Sequence, residues 1–244
     1  MPAHSPNPGG ASIAEALDDR QRKGRPVRVG LIGAGQMGTD ILVQTGLMQG
    51  IEVVAAADAV RENVFSACKI AGDGGRAPQL ADDAGATARA ISRGHLAVCG
   101  SFRDVCNAEG VDVIIDATGN PNVGAEVALT TIAAGKHMVM MNVEADVTIG
   151  PYLSAQAQQA GVVYTLGAGD EPSSTMELVN FLRGLGYPIV AAGKGKNNAF
   201  RIDATPDAYV EEATRRNMNP RMLVEFVDGS KTMVEMCAIA NATG

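Results

Sequence analysis

Apolar residues recur along this chain in two alternating rhythms. Short β-branched runs are followed by stretches in which apolar positions return every three or four residues. Ser12 is placed to cap a first helix, IAEALDDRQRKG, which Gly24 ends. VRVGLI (27–32) reads as a buried strand, GAGQMG as a turn, and TDILVQTGLM as an amphipathic helix. IEVVAAAD is the next strand and ends on Asp58. GDGGRAPQLADDAGA reads as loop between helical pieces, LAVCG as a weak strand, and VDVIIDATG (111–119) as a strong one. PNVGAEVALTTIAAG follows as a helix, with Pro121 in its first turn and Gly135 past its end. KHMVMMN is a strand, YLSAQAQQAG a helix beginning near Pro151, and VVYTL a strand. Strands alternating with helices predict βαβ units and a Rossmann-type, doubly wound parallel sheet of the α/β class.

The rhythm changes after Glu171. SSTMELVNFLRGLG predicts a helix, YPIVAAGKGK a strand and turn, ATPDAYVEEATRRNMNP a polar irregular stretch, and SKTMVEMCAIANATG an amphipathic helix. The expected organisation is a disordered tail over residues 1–11, a dinucleotide-binding domain over 12–171, and the start of an α+β catalytic domain over 172–244. The chain is expected to break off inside that last domain.

Composition narrows the function classes. With 244 residues, 46% apolar and 19% charged, the chain is long enough for a sizeable core. A net charge of −7 and no basic run longer than RQRK argue against nucleic acid as a partner. No apolar run approaches the roughly 20 residues of a membrane helix, and the N-terminus has no signal-peptide core. Cys68, Cys99, Cys106 and Cys237 show no C-x-x-C spacing, which fits reduced thiols and a cytoplasmic location.

Chemistry concentrates where strands end. GAGQMG (33–38) is G-x-G-x-x-G between a strand and a helix, with Asp58 twenty residues on. Gly33 suits the tight turn, Gly35 the approach of a pyrophosphate, and Gly38 the packing of helix on strand. Gln36 and Met37 lie at the helix start, where unpaired N–H groups favour phosphate. Asp58 is placed to accept from a ribose 2′-hydroxyl. Arg61 is placed to take a 2′-phosphate instead, so NAD(H) and NADP(H) both remain open. Thr118, Gly119 and Asn120 close another strand at the same edge, next to the nicotinamide ribose. Asn142 and Glu144 close the next one, with Glu144 equally suited to capping the following helix.

GAGDEPSS places Asp170 and Glu171 side by side after a strand. Ser173 and Ser174 already offer capping oxygens, so two acids exceed what capping needs. Adjacent carboxylates in a pocket call for a divalent cation, magnesium or manganese, or for a lysine. One acid is expected to cap and the other to act in catalysis or metal binding. Lys194 and Lys196 in GKGKNN are candidates to polarise a carbonyl oxygen. Arg221 and Lys231 are candidate substrate-binding cations. Lys231 and Glu235 share a helix face and read as a surface pair.

RVGLIGAGQMG, VIIDATGNP and GKHMVMMNVEAD together resemble the nucleotide domain of homoserine dehydrogenase and its relatives. In those enzymes an Asn-Lys pair follows the GKH strand, and the lysine is catalytic. Here Asn142 is followed by Val143, and no Glu-Lys-Pro motif of the sugar dehydrogenases is present. GAGDEP, GKGKNN, NMNPRM and SKTMVEMCAIANATG resemble the DXR-like (DRL) reductoisomerase family more closely. That resemblance implies a homoserine-dehydrogenase-type NAD(P) domain, a distinct catalytic domain and a C-terminal SAF domain, the last expected to fall outside this sequence. It implies an NAD(P)-dependent oxidoreductase, acting as a homo-oligomer such as a dimer on a small-molecule carbonyl substrate. At least one member of the family converts 1-deoxyxylulose 5-phosphate to methylerythritol 4-phosphate with NADPH and a divalent metal. A homoserine-type dehydrogenase, a non-catalytic dinucleotide sensor and a Rossmann methyltransferase are the alternatives.

Overall fold

The computed structural model describes residues 12–72, 75–195, 199–216 and 218–244. The expected tail over 1–11 and the candidate Lys196 lie outside these residues. Two compact units emerge: residues 1–142 with 152–165, and residues 143–151 with 166–244.

The first unit is built on strands β1 (Val27–Ile32), β2 (Ile51–Ala57), β3 (Pro78–Leu80), β4 (Leu96–Cys99), β5 (Val113–Asp116), β6 (His137–Met140) and β7 (Tyr164–Leu166). They form one sheet in the order β3-β4-β2-β1-β5-β6-β7, and the ladders from β3 to β6 are parallel. This is the doubly wound α/β fold. The strand order reverses direction at β1, so the crevice at the carboxyl ends of β1 and its neighbours is the place where such sheets take ligands. Val29, Leu31, Val53, Leu96 and Val98 form the core on which helices α2 (Gln36–Leu47) and α3 (Arg61–Ala71) pack. Helix α1 (Ile13–Arg22) starts with a full capping box between Ser12 and Glu15. Helices α4 (Ala84–Ser92), α5 (Phe102–Cys106) and α6 (Pro121–Ala133) complete the crossovers of this unit.

Four element predictions change, the last of them among the helices of the second unit. β3 lies inside the stretch read as loop; a three-residue edge strand that begins with proline leaves no period-two pattern to read. Helix α7 (Val143–Ala160) starts eight residues before Pro151 and continues through it. A proline in a helix removes the N–H that the carbonyl four residues back would accept. That carbonyl is Val147, and the Asn241 side chain donates to it at 3.1 Å. The boundary between the two units falls at this proline. The third change is the predicted strand YPIVAAGKGK. Residues 187–195 carry no strand, and Val190 is 95% exposed, because the segment has no neighbouring strand to pair with among the described residues.

The second unit, among the described residues, is helical. Helices α8 (Glu171–Gly184), α9 (Val210–Arg215), α10 (Pro220–Asp228) and α11 (Ser230–Thr243) are joined by coil and a 3₁₀ turn over Pro206–Tyr209. The stretch predicted as irregular therefore supplies one helix and the start of another. Val143, Ala145, Val179, Ala213, Leu223, Val224, Ala238 and Ile239 are among its buried apolar residues.

Candidate active site

In the first unit the glycine turn joins three strand ends. The Gly33 N–H donates to Ala57 O at 2.8 Å, and Ala117 N donates to Ile32 O at 2.7 Å. Gly33 has φ +92°, and a Cβ there would stand 2.8 Å from the Ala117 carbonyl oxygen. A Cβ on Gly38 would stand 2.0 Å from the Gly33 oxygen. Packing thus demands glycine at both positions. At Gly35 a Cβ would meet nothing within 4 Å. Gly35, Gln36 and Met37 are exposed at the start of α2, where no side chain caps the free N–H groups. The open space and uncapped amides fit the charge and size of a pyrophosphate.

Asp58 is pinned beneath this turn. One carboxylate oxygen accepts from Ala34 N at 2.8 Å; the other accepts from Val60 N at 2.9 Å and Asn63 Nδ2 at 3.1 Å. Arg61 pairs with Asp82 at 2.6 Å, and its guanidinium lies against Gly100. Asn120 spends its side-chain oxygen on capping α6, accepting from Asn122 N and Val123 N. Gly119, at φ +65°, has open space around it. Thr118 is half-buried and Asn142 buried; both side chains face Asp116, at the end of β5. Burial raises the Asp116 carboxyl, and the polar groups of Thr118 and Asn142 that face it counter that.

The second unit gathers the charges. Lys194 Nζ donates to Glu171 at 2.8 Å and also pairs with Glu235. Glu235 is 1% exposed, and Lys231 stands 3.7 Å from its other oxygen. Asp170 completes the group: carboxylate oxygens of Asp170, Glu171 and Glu235 all lie within 4.8 Å of one another. A Cβ on Gly193 would come within 3.1 Å of Met236, so glycine lets this coil lie close over α11. Burial, then a hydrogen bond shared with Glu171, push the Asp170 carboxyl up to about 6. The same bond to Asp170, followed by the Lys194 ammonium, pulls Glu171 down to about 2. Burial works against the Lys194 charge, yet the two glutamates outweigh it and raise the lysine. Asp170 therefore keeps its proton up to about pH 6, two units beyond an ordinary aspartate, beside a fixed ammonium, an arrangement able to polarise a carbonyl oxygen and protonate it.

The expected capping role of the acids does not hold. Asp170 occupies the N-cap position of α8 without a side-chain cap bond, and Ser173 donates instead to Gly167 O at 2.9 Å. The Asp170 carboxyl instead shares a hydrogen bond with Glu171, whose own carboxylate is held by Lys194. Lys231 and Glu235 are not a surface pair. Glu235 falls in register with Ala238 and Ile239 on the buried stripe of α11, and an acid on that stripe was the available signal. Glu144, in the first turn of α7, is felt by Glu225 on α10, as is Arg221. Glu144 is not among the ion-pair partners of Lys194 in the described residues, and Arg221 is not among the cations paired with Glu171 or Glu235. Asn142 and Glu144, two residues apart, fall in different units. Asp116 carried no signal apart from the quoted DATG.

Residues 10–166 match the family described as "Homoserine dehydrogenase, NAD binding domain", and residues 169–244 match "Oxidoreductase DRL, catalytic domain". The chain belongs to the DRL-like oxidoreductases. Its first unit is thereby a nicotinamide-dinucleotide domain by family, and its second carries the DRL catalytic segments. No curated protein matches the chain. Among solved structures it is similar to an NAD binding oxidoreductase from Klebsiella pneumoniae, with 18% identity over 66% of this chain and 39% of that one, at a TM-score of 0.45. The WlbA dehydrogenase from Bordetella pertussis in complex with NADH and UDP-GlcNAcA gives 19% identity over 66% and 44%, at 0.44. Biliverdin reductase from Synechocystis sp. PCC 6803, with biliverdin and NADP+, gives 18% over 66% and 43%, at 0.44. The chain spans less than half the length of each of these proteins.

Proposed function

We propose that this DRL-like chain reduces a small polar carbonyl compound at the expense of NADH or NADPH. The observation that carries the reading is the Lys194 ammonium held between Glu171 and the buried Glu235, with the protonatable Asp170 beside Glu171. A bound reduced nicotinamide supplies the hydride, two electrons and one proton's worth of hydrogen, to the carbonyl carbon. Gly33, Gly35, Gln36, Met37 and Gly38 receive its pyrophosphate, and Asp58 or Arg61 reads its 2′ position. Thr118, Gly119, Asn120 and Asn142 belong to the nicotinamide side. Lys194 stabilises the negative charge that develops on the substrate oxygen. Asp170 gives that oxygen its proton and recovers one from water.

A sugar phosphate such as 1-deoxyxylulose 5-phosphate is the substrate class that the family resemblance favours, and with it an isomerisation before reduction. A metal-assisted variant has its own support: Asp170, Glu171 and Glu235 offer the grouped oxygens that magnesium or manganese prefers. In that variant the cation takes the place of the Lys194 ammonium. The test is a turnover screen of the protein against 1-deoxyxylulose 5-phosphate, related ketoses and homoserine, with each coenzyme in its oxidised and reduced form, with and without chelator. Reduced-coenzyme oxidation on a ketose that survives chelation supports the lysine route, and loss on chelation supports the metal. Turnover on homoserine alone favours the dehydrogenase reading. Coenzyme uptake without turnover on any compound favours the sensor reading.

A further inference from the structure

Asp116 is fully buried at the carboxyl end of β5, flanked by Ile32 of β1 and Met140 of β6. Its backbone oxygen accepts from Met141 N at 3.0 Å, and one carboxylate oxygen accepts from Thr118 N at 3.1 Å. The next residue, Ala117, is the one whose carbonyl abuts Gly33. The Asp116 side chain thus holds the start of the Thr118–Gly119–Asn120 loop, and the Ala117 backbone beside it borders the glycine turn. The other oxygen of Asp116 and the hydroxyl of Thr118 are buried with no partner at hydrogen-bond distance. Buried polar groups left in reserve cost free energy, so their retention needs a use. Neither is explained by the packing of the strand.

We propose that Asp116 is a positioning residue for the nicotinamide half of the coenzyme: it sets the Thr118–Asn120 loop, and its spare oxygen takes the Thr118 hydroxyl when that half is seated. The proposal rests on the reading of the first unit as a dinucleotide site. Asp116 touches no ligand itself and acts through the loop. Its effect is therefore confined to the nicotinamide side, while the pyrophosphate stays on the α2 amides and the adenosine end near Asp58.

The test compares NADH with ADP, which lacks the nicotinamide half, by calorimetry on the wild-type protein and on Asp116→Ala and Asp116→Asn. Loss of a hydrogen bond to a charged group predicts a dissociation constant for NADH about ten-fold or more higher in Asp116→Ala, with ADP unchanged. Asp116→Asn keeps the acceptor for Thr118 N and is expected within about three-fold of wild type. Equal losses for NADH and ADP, or no loss for either, overturn the proposal. Hydrogen exchange on the wild-type protein decides the matter if Asp116→Ala does not fold. NADH, and not ADP, is expected to slow exchange over residues 116–120; equal protection by both ligands, or protection by neither, overturns it. A wild-type protein that takes up neither NADH nor NADPH defeats the underlying reading instead.

Discussion

At the residue scale, the lysine at position 194 decides what the neighbouring acids are. Carboxylates within 4.8 Å of one another repel when ionised, and the buried one, Glu235, is the costliest to leave without a neighbouring cation. Lys194→Met removes the main one and leaves Glu235 with Lys231 at 3.7 Å. Breaking a buried pair from one side costs about 3–5 kcal/mol, and Lys231 places this case at the low end. Urea unfolding is expected to show that loss, with most of it recovered in Lys194→Met/Glu235→Gln. Turnover stays down in both, by roughly 10²–10⁴-fold, so stability and chemistry separate. Asp170 governs the pH dependence. It is raised to about 6 and gives a proton to the product, so carbonyl reduction is expected to fall as pH climbs through about 6. The stability sign agrees: a carboxyl raised in the folded state stabilises most below its ordinary value of 3.8 and loses that contribution by about 6. In Asp170→Asn the descending limb near 6 should vanish from a pH–rate profile. A limb that persists assigns it to another group.

At the element scale, two local devices can be tested apart from chemistry. Helix α7 passes through Pro151 because Asn241 satisfies the carbonyl of Val147. Asn241→Ala is expected to cost about 1 kcal/mol in the native background and close to nothing beside Pro151→Ala, where the helix regains its own N–H. A double-mutant cycle by chemical denaturation reads the coupling directly. In the β1–α2 turn the glycines divide by role. Gly38→Ala would drive a methyl into the Gly33 carbonyl and shift α2, with loss of both stability and coenzyme. Gly35→Ala has open space in the protein. It is expected to leave the melting temperature within a degree or two and weaken NADH by about ten-fold, as seen by paired thermal and calorimetric measurements. These elements also show where periodicity can be read. Runs such as VRVGLI and IEVVAAAD are buried on both faces, and their β-branched and small apolar residues announce them. β3 has three residues and one ladder, too little surface to leave a pattern. YPIVAAGKGK has the composition of a strand and no partner among the described residues, and composition cannot supply hydrogen bonds from a neighbour.

At the scale of the whole molecule, a chain of net charge −7 binds a dianion only where local dipoles outweigh the overall field. Coenzyme is therefore expected to stabilise the first unit: NADH at a hundred times its dissociation constant adds about 2.7 kcal/mol, visible as a rise of one transition in calorimetry. The amino-acid order alone determined the alternation of strands and helices, the glycine turn with Asp58, and the adjacency of Asp170 and Glu171. Each of these is local, set by period, turn geometry or residues next to one another. Tertiary structure alone decided that Lys194 meets Glu171 across 23 residues and Glu235 across 41. It also decided that Glu235 faces inward and that the buried Asp116 holds the Thr118 N–H at the start of its loop. Those facts depend on which surfaces are driven together to exclude water, and no period along a chain encodes the distance between two charges that only the folded core brings within reach.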